Sequence, residues 1–273
     1  MKELVDWVLA RRYVVVALAV LLAPSVSFVS AGIIAVQTAY RGLVVGVGDV
    51  LVAALAVALV TLASGGGAAQ TVSGCIALVA GLCVGAAARA LRGFNLIVQC
   101  LLVVAYAIVL LYTLFGSTDN ALFDALMQSM QEVMAEVGAT AQQLDALAMN
   151  KPRLVGFIAV SALMDLMLVA VMTFWLLGIA RGDNDFARQF RKMRLGYVLG
   201  VPGALFILGA LAFNGTLIHN LSGVAACGFL LQALALIHDK AHALKWHPIF
   251  YVPVYVFGLL FGITLTMMEV LGL

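Results

Sequence analysis

The chain has 273 residues, of which 64% are hydrophobic and only 10% charged, with a formal net charge of +2 and a mean hydropathy of +1.13. Soluble domains carry about 25% charged residues, so a folded chain this apolar cannot cover its surface with polar groups in water, and a soluble globular domain is excluded. The small net charge gives no case for nucleic acid, and the lipid bilayer becomes the expected solvent of a polytopic membrane protein.

In chain order, residues 1–12 combine Lys2, Arg11 and Arg12 with Glu3 and Asp6. A cleaved signal peptide is disfavoured, because the two acids spoil the basic region and the apolar run resumes past Ser25-Val26-Ser27. The expected element is an amphipathic helix on the cytoplasmic membrane face, with Leu4, Val5, Val8 and Leu9 in lipid and Trp7 at the headgroups. Residues 13–40 would make one helix of roughly 40 Å, but Pro24, Ser25 and Ser27 interrupt it. Clear spans follow at 42–64, 70–88, 94–116, 153–180, 196–216, 217–237 and 248–270, separated by turns at Gly65-Gly66-Gly67, Arg89–Gly93 and Asn214-Gly215.

Loops rich in Lys and Arg stay cytoplasmic. If 13–40 is a hairpin that returns to its starting side, Arg41, Arg89, Arg92, Arg181 and the cluster of Arg188, Arg191, Lys192 and Arg194 all fall inside, leaving Lys151 and Arg153 outside. A single crossing strands most of them outside. The expected fold is therefore all-α: a transmembrane helix bundle of seven spans plus an N-terminal hairpin, spanning or re-entrant. Its segments are a cytoplasmic helix over 1–12, membrane helices over 13–116, an extracytoplasmic segment over 117–152, and membrane helices over 153–273 with a basic cytoplasmic loop at 181–195. The expected location is a bacterial inner membrane, with the N-terminus cytoplasmic and the C-terminus outside.

Residues 117–152 form the one long hydrophilic stretch. Leu122, Phe123, Leu126, Met127, Met130, Val133, Met134 and Val137 recur at helical spacing. An amphipathic helix is expected, then a turn near Gly138 and a second short helix through Leu144 and Leu147. It would either lie on the outer face or close over an outward cavity.

Ionisable groups inside a bilayer are expensive and are functional candidates by default. Asp165 sits mid-span in "SALMDLML", and Asp49 sits among glycines in "GLVVGVGDV". Asn95 and Gln99 share a helical face, and His219 and Asn220 lie near a span end. These six are candidate ligand-binding residues, with interhelical hydrogen bonding as the plainer alternative. Arg188, Arg191, Lys192 and Arg194 anchor orientation or dock a partner. Ala19 and Ala23, four apart like Gly42/Gly46, Gly81/Gly85, Gly196/Gly200 and Gly258/Gly262, pack helices closely or dock a membrane subunit. The four cysteines lie in apolar runs and suggest no disulfide framework. His238 and His242 are one turn apart but lack the zinc-protease glutamate, and no catalytic, phosphate-loop or dinucleotide pattern occurs, so no metal, cofactor or enzymatic activity is expected.

"FARQFRKMRLGYVLGVPG" with "LLQALALIHDKAHALKWHPIFYVPVYV" resembles the C-terminal half of the YybS-like bacterial membrane proteins, through Phe190, Arg194, Leu195, Ala235-Leu236-Ile237-His238 and Trp246. That family has no assigned function and is similar to the substrate-binding membrane subunits of energy-coupling-factor vitamin transporters. The motif content is confined to about residues 186–260. Gly182-Asp183-Asn184 departs from the family's Pro-Gly-Gly, and the family's basic tail has no counterpart after Gly272-Leu273. The resemblance implies small-molecule binding with an energising partner subunit. The alternative is a membrane scaffold that recruits cell-envelope or other membrane partners.

Overall fold

The structure is a computed structural model that describes residues 2–23, 26–65, 67–118, 121–136, 151–182 and 185–247. Among these residues every regular element is helical: α1 (Lys2–Ala10), α2 (Arg12–Leu22), α3 (Ser27–Arg41), α4 (Leu43–Ala63), α5 (Ala68–Leu91), α6 (Phe94–Phe115), α7 (Ala121–Glu136), a 3-10 turn (Lys151–Arg153), α8 (Leu154–Arg181), α9 (Asp185–Arg191), α10 (Gly196–Ala212) and α11 (Thr216–Ala243). Among the described residues five helical stretches are long and apolar enough to cross a membrane: Leu43–Ala63, Gln70–Leu91, Phe94–Phe115, Lys151–Arg181 and Thr216–Ala243. They support membrane embedding. Outward-facing Val44, Leu51, Leu55, Leu59 and Leu62 on α4 are more than half exposed, an apolar face that water would drive to aggregate and lipid would solvate.

Seven spans are not found among the described residues. The 196–216 stretch becomes α10, which ends at Ala212 and is shorter than a span, because Phe213-Asn214-Gly215 turns the chain. It counts as a sixth candidate only if α9 and α10 are taken as one broken span. Residues 248–270 lie outside the described residues.

The chain divides into two compact units, Met1–Leu101 with Met164–Arg194, and Leu102–Leu163 with Leu195–Leu273. In the first, α2 and α3 lie antiparallel. Ser30 Oγ donates to Ala19 O at 2.7 Å, and the Arg41 guanidinium donates to Leu9 O and Ala10 O at 2.6 and 2.8 Å. At 11 and 15 residues these helices rise about 17 and 22 Å, short of the roughly 30 Å hydrocarbon core. Neither is long enough to span, and α3 is buried from Ser30 to Ala39 except at Ile33. Short helices are tolerated at membrane depth when protein encloses them.

Small residues make that enclosure. A Cβ at Gly81 would meet the backbone of Ala31, and one at Gly85 the backbone of Ala35, so α5 lies backbone to backbone along α3. Ala19 and Ala23 are buried in a cluster with Ile34, Val50, Ala53, Val57 and Leu78. They hold the hairpin to α4 and α5 and offer no outward docking face. On α1, Val5 and Leu9 are also buried in protein, so this helix is more than a lipid-facing float. Phe94, fully buried, packs its ring edge-on to Phe174 and Phe186 and beside Phe190, which fixes α9 to α6 and α8.

In the second unit α10 and α11 form a hairpin. Gly203 lets Phe229 and Ala225 approach, and Gly209 receives Ile218. Helix α7 rests Phe123 and Met127 on Leu154 and Val155, beside Tyr112 and Phe157, and Lys151 Nζ meets Asp124 Oδ1 at 2.8 Å. Gly138, Leu144 and Leu147, where the second short helix is expected, lie outside the described residues.

Candidate functional site

The strongest polar feature is an ion pair in the first unit. Asp49 lies on α4, one turn and a half inside the helix, with 0% of its side chain exposed. Arg12 opens α2, and its Nε donates to Asp49 Oδ1. A cation at a helix N-terminus opposes the helix dipole, so Arg12 serves something other than α2 itself. Gly48 makes the approach possible: a Cβ there would sit 2.7 Å from Arg12 Nη2. The hairpin supplies the rest, since it brings the start of α2 back beside α4.

The pair is unequally buried. Arg12 keeps 49% of its side chain exposed while Asp49 keeps none. Among the described residues the second carboxylate oxygen, Asp49 Oδ2, has no hydrogen-bond partner. On α3, both amide atoms of Gln37 and Thr38 Oγ1 are likewise buried and without partners. Thr38 presses on Gly46, one turn before Asp49 on the same helix. Unsatisfied buried polar atoms each cost about 1–3 kcal/mol, and such groups in a protein interior call for an explanation such as water, an ion or a ligand.

From this pair an apolar groove of about 970 Å³ runs between α2 and α4. Arg12 and Asp49 head it, and Val16, Val20, Val52 and Val60 are among its walls.

The other candidates are placed differently. Asn95 and Gln99 do share a face and do act together, but on backbone: Asn95 Oδ1 accepts from Arg194 N at 3.1 Å, and Gln99 Nε2 donates to Arg194 O at 3.0 Å. Gln189 Oε1 accepts from Phe94 N at 2.9 Å in the same corner. These amides clip the end of the basic loop to the start of α6. Asp165 is exposed, on the same α8 face as Ser161, Ala162 and Leu168. In the second unit, Asn220 is buried, donates to Pro152 O at 3.3 Å and packs on Gly156, while His219 Nε2 is buried without a partner among the described residues.

The basic residues also have local work. Arg41 closes the C-terminus of α1 and Arg89 that of α3, by donating to Ala39 O and Tyr40 O. Arg194 Nη1 donates to Met193 O at 2.7 Å and to Arg191 O at 3.2 Å. Cations at helix C-termini satisfy orphan carbonyls and favour the dipole. Arg188 pairs with Asp185 one turn away, and Lys192 is exposed. Among the described residues no three His, Cys, Asp or Glu side chains gather as a metal-binding group.

Sequence reasoning missed Arg12, Gln37 and Thr38 as site residues. Arg12 looks like one more orientation charge, and Gln37-Thr38 looks like a pause in an apolar run. The available signal was the shortness of the two arms, since broken helices at membrane depth mark binding sites in many transporters. No protein-family model, curated protein or solved structure matches this chain.

Proposed function

We propose that this chain is a membrane subunit that binds a small molecule within its first unit, at the Arg12–Asp49 pair, and serves transport with an energising partner. One observation carries the reading: a fully buried carboxylate whose one partner among the described residues is a half-exposed guanidinium that opens onto an apolar groove. The resemblance of residues 186–260 to YybS-like proteins points the same way. In this reading the basic loop lies in the cytoplasm. The test is thermal shift of the purified protein against a panel of amphipathic and polar metabolites. A ligand that stabilises the native protein and not Arg12→Gln supports the proposal, and a panel that shifts neither protein counts against it.

A membrane partner is a second reading with its own observation. Asp165 sits mid-helix on an exposed apolar face, where a carboxylate facing lipid costs about 2.5–3.5 kcal/mol. A neighbouring subunit that donates a hydrogen bond would offset that. Asp165→Leu should then abolish co-purification of a membrane partner. If the partner persists, Asp165 is not its contact.

A further inference from the structure

We infer that the groove between α2 and α4 holds one acyl chain of an anionic phospholipid, with the lipid phosphate on Arg12. This specifies the ligand class of the site proposed above and rests on that reading.

The two walls are single helical stripes. On α2, Val16 and Val20 follow Arg12, and Ala17 and Leu21 follow the neighbouring Tyr13, at four-residue steps, and on α4 Val52, Ala56 and Val60 follow Asp49 at three- and four-residue steps. Ala17 and Ala56 are the small residues that leave room for a chain. Charge occurs only at the Arg12–Asp49 end. Among the described residues only Nε of the guanidinium is engaged, so its two Nη groups are available on a half-exposed side chain. A planar fork of N–H donors suits a phosphate, which it can take through two bonds.

Two further facts order the occupant. Trp7 and Tyr13 are 50% and 70% exposed at the charged end, and such aromatic residues mark the headgroup level of a bilayer. From Arg12 to Leu21 the groove descends about 14 Å, close to half of the roughly 30 Å hydrocarbon thickness. Headgroup level, cation and one leaflet's depth of apolar wall therefore occur in the order in which a bilayer phospholipid presents phosphate and chain. A soluble phosphate would use Arg12 and ignore the walls.

The test is retention of lipid by the full chain. The protein is reconstituted in nanodiscs of phosphatidylglycerol and phosphatidylcholine in equal parts, released into mild detergent and read by native mass spectrometry. Native protein should keep phosphatidylglycerol in preference. Arg12→Gln should lose about tenfold of that retention, the worth of a charge-assisted hydrogen bond. Ala56→Phe, which fills the groove and leaves the ion pair alone, should lose it as well, while Val104→Phe on an exposed face of α6 should not. Should Arg12→Gln fail to fold, Ala56→Phe decides. Equal retention of both lipids, or retention untouched by Ala56→Phe, overturns the assignment. So does a disulfide between Val20→Cys residues of two copies, which would give the groove to a second molecule. If lipid retention fails but a soluble ligand still gives an Arg12-dependent thermal shift, the lipid class is wrong and the ligand site stands. Failure of both removes both.

Discussion

Replacing Gly81 by alanine should destabilise the protein, although alanine is the better helix former. An added Cβ would lie 2.8 Å from the carbonyl carbon and 2.9 Å from the Cα of Ala31, closer still to its oxygen. All three neighbours are backbone, so none can rotate away, and α3 cannot retreat because α2 and α4 also pack against it. Overpacking a tight site costs about 1–3 kcal/mol, and a backbone clash belongs at the top of that range. Alanine returns about 1 kcal/mol of helix propensity. The net loss is about 2 kcal/mol, a shift of about 30-fold in the unfolding equilibrium. Gly200 has the same four-residue spacing to Gly196, but among the described residues nothing lies within 4 Å of a Cβ placed there. Gly200→Ala should therefore be neutral or stabilising by up to about 1 kcal/mol. Reversible unfolding in dodecyl sulfate, followed by tryptophan fluorescence, compares the two. Equal stability of Gly81→Ala and Gly200→Ala would refute the backbone contact between α3 and α5.

The ion pair should respond asymmetrically. Arg12→Met leaves a buried carboxylate uncompensated and should cost about 3 kcal/mol, whereas Asp49→Asn leaves a half-exposed guanidinium and should cost about 1 kcal/mol, with Arg12→Met/Asp49→Leu recovering much of the loss in the same unfolding assay. Asn95→Ala removes a bond to the Arg194 peptide worth about 1 kcal/mol and should speed tryptic cleavage after Arg194 in the native protein, as measured by the rate of fragment appearance. Phe94→Ala deletes a fully buried ring that touches three others and should cost about 3–5 kcal/mol, the largest loss of any of these variants on thermal unfolding in detergent.

Helical class and membrane solvent are legible from composition and run length because both are local. The interruption expected within 13–40 separates α2 from α3. What the residues alone do not reveal is which neighbour each small or polar group meets. Gly81/Gly85 and Gly196/Gly200 have identical spacing, yet among the described residues only the first pair receives a helix. Ala19/Ala23 has that spacing too, and its neighbours belong to its own chain. Asn95 and Gln99 sit one turn apart by arithmetic, but their shared partner, the Arg194 peptide, is almost a hundred residues away. Arg12 is the clearest case. Its charge is explained by orientation alone until the hairpin carries it to Asp49, 37 residues on.

The account depends on that return of the chain. In a background with Cys75, Cys83, Cys100 and Cys227 replaced, single cysteines at Lys2, Tyr40 and Ser64 can be labelled with a membrane-impermeant maleimide in sealed vesicles of known orientation. Lys2→Cys and Tyr40→Cys should label from the same side and Ser64→Cys, at the far end of α4, from the other. Labelling of Lys2→Cys and Tyr40→Cys from opposite sides would show that residues 13–40 cross the bilayer once, and would take Arg12 away from Asp49.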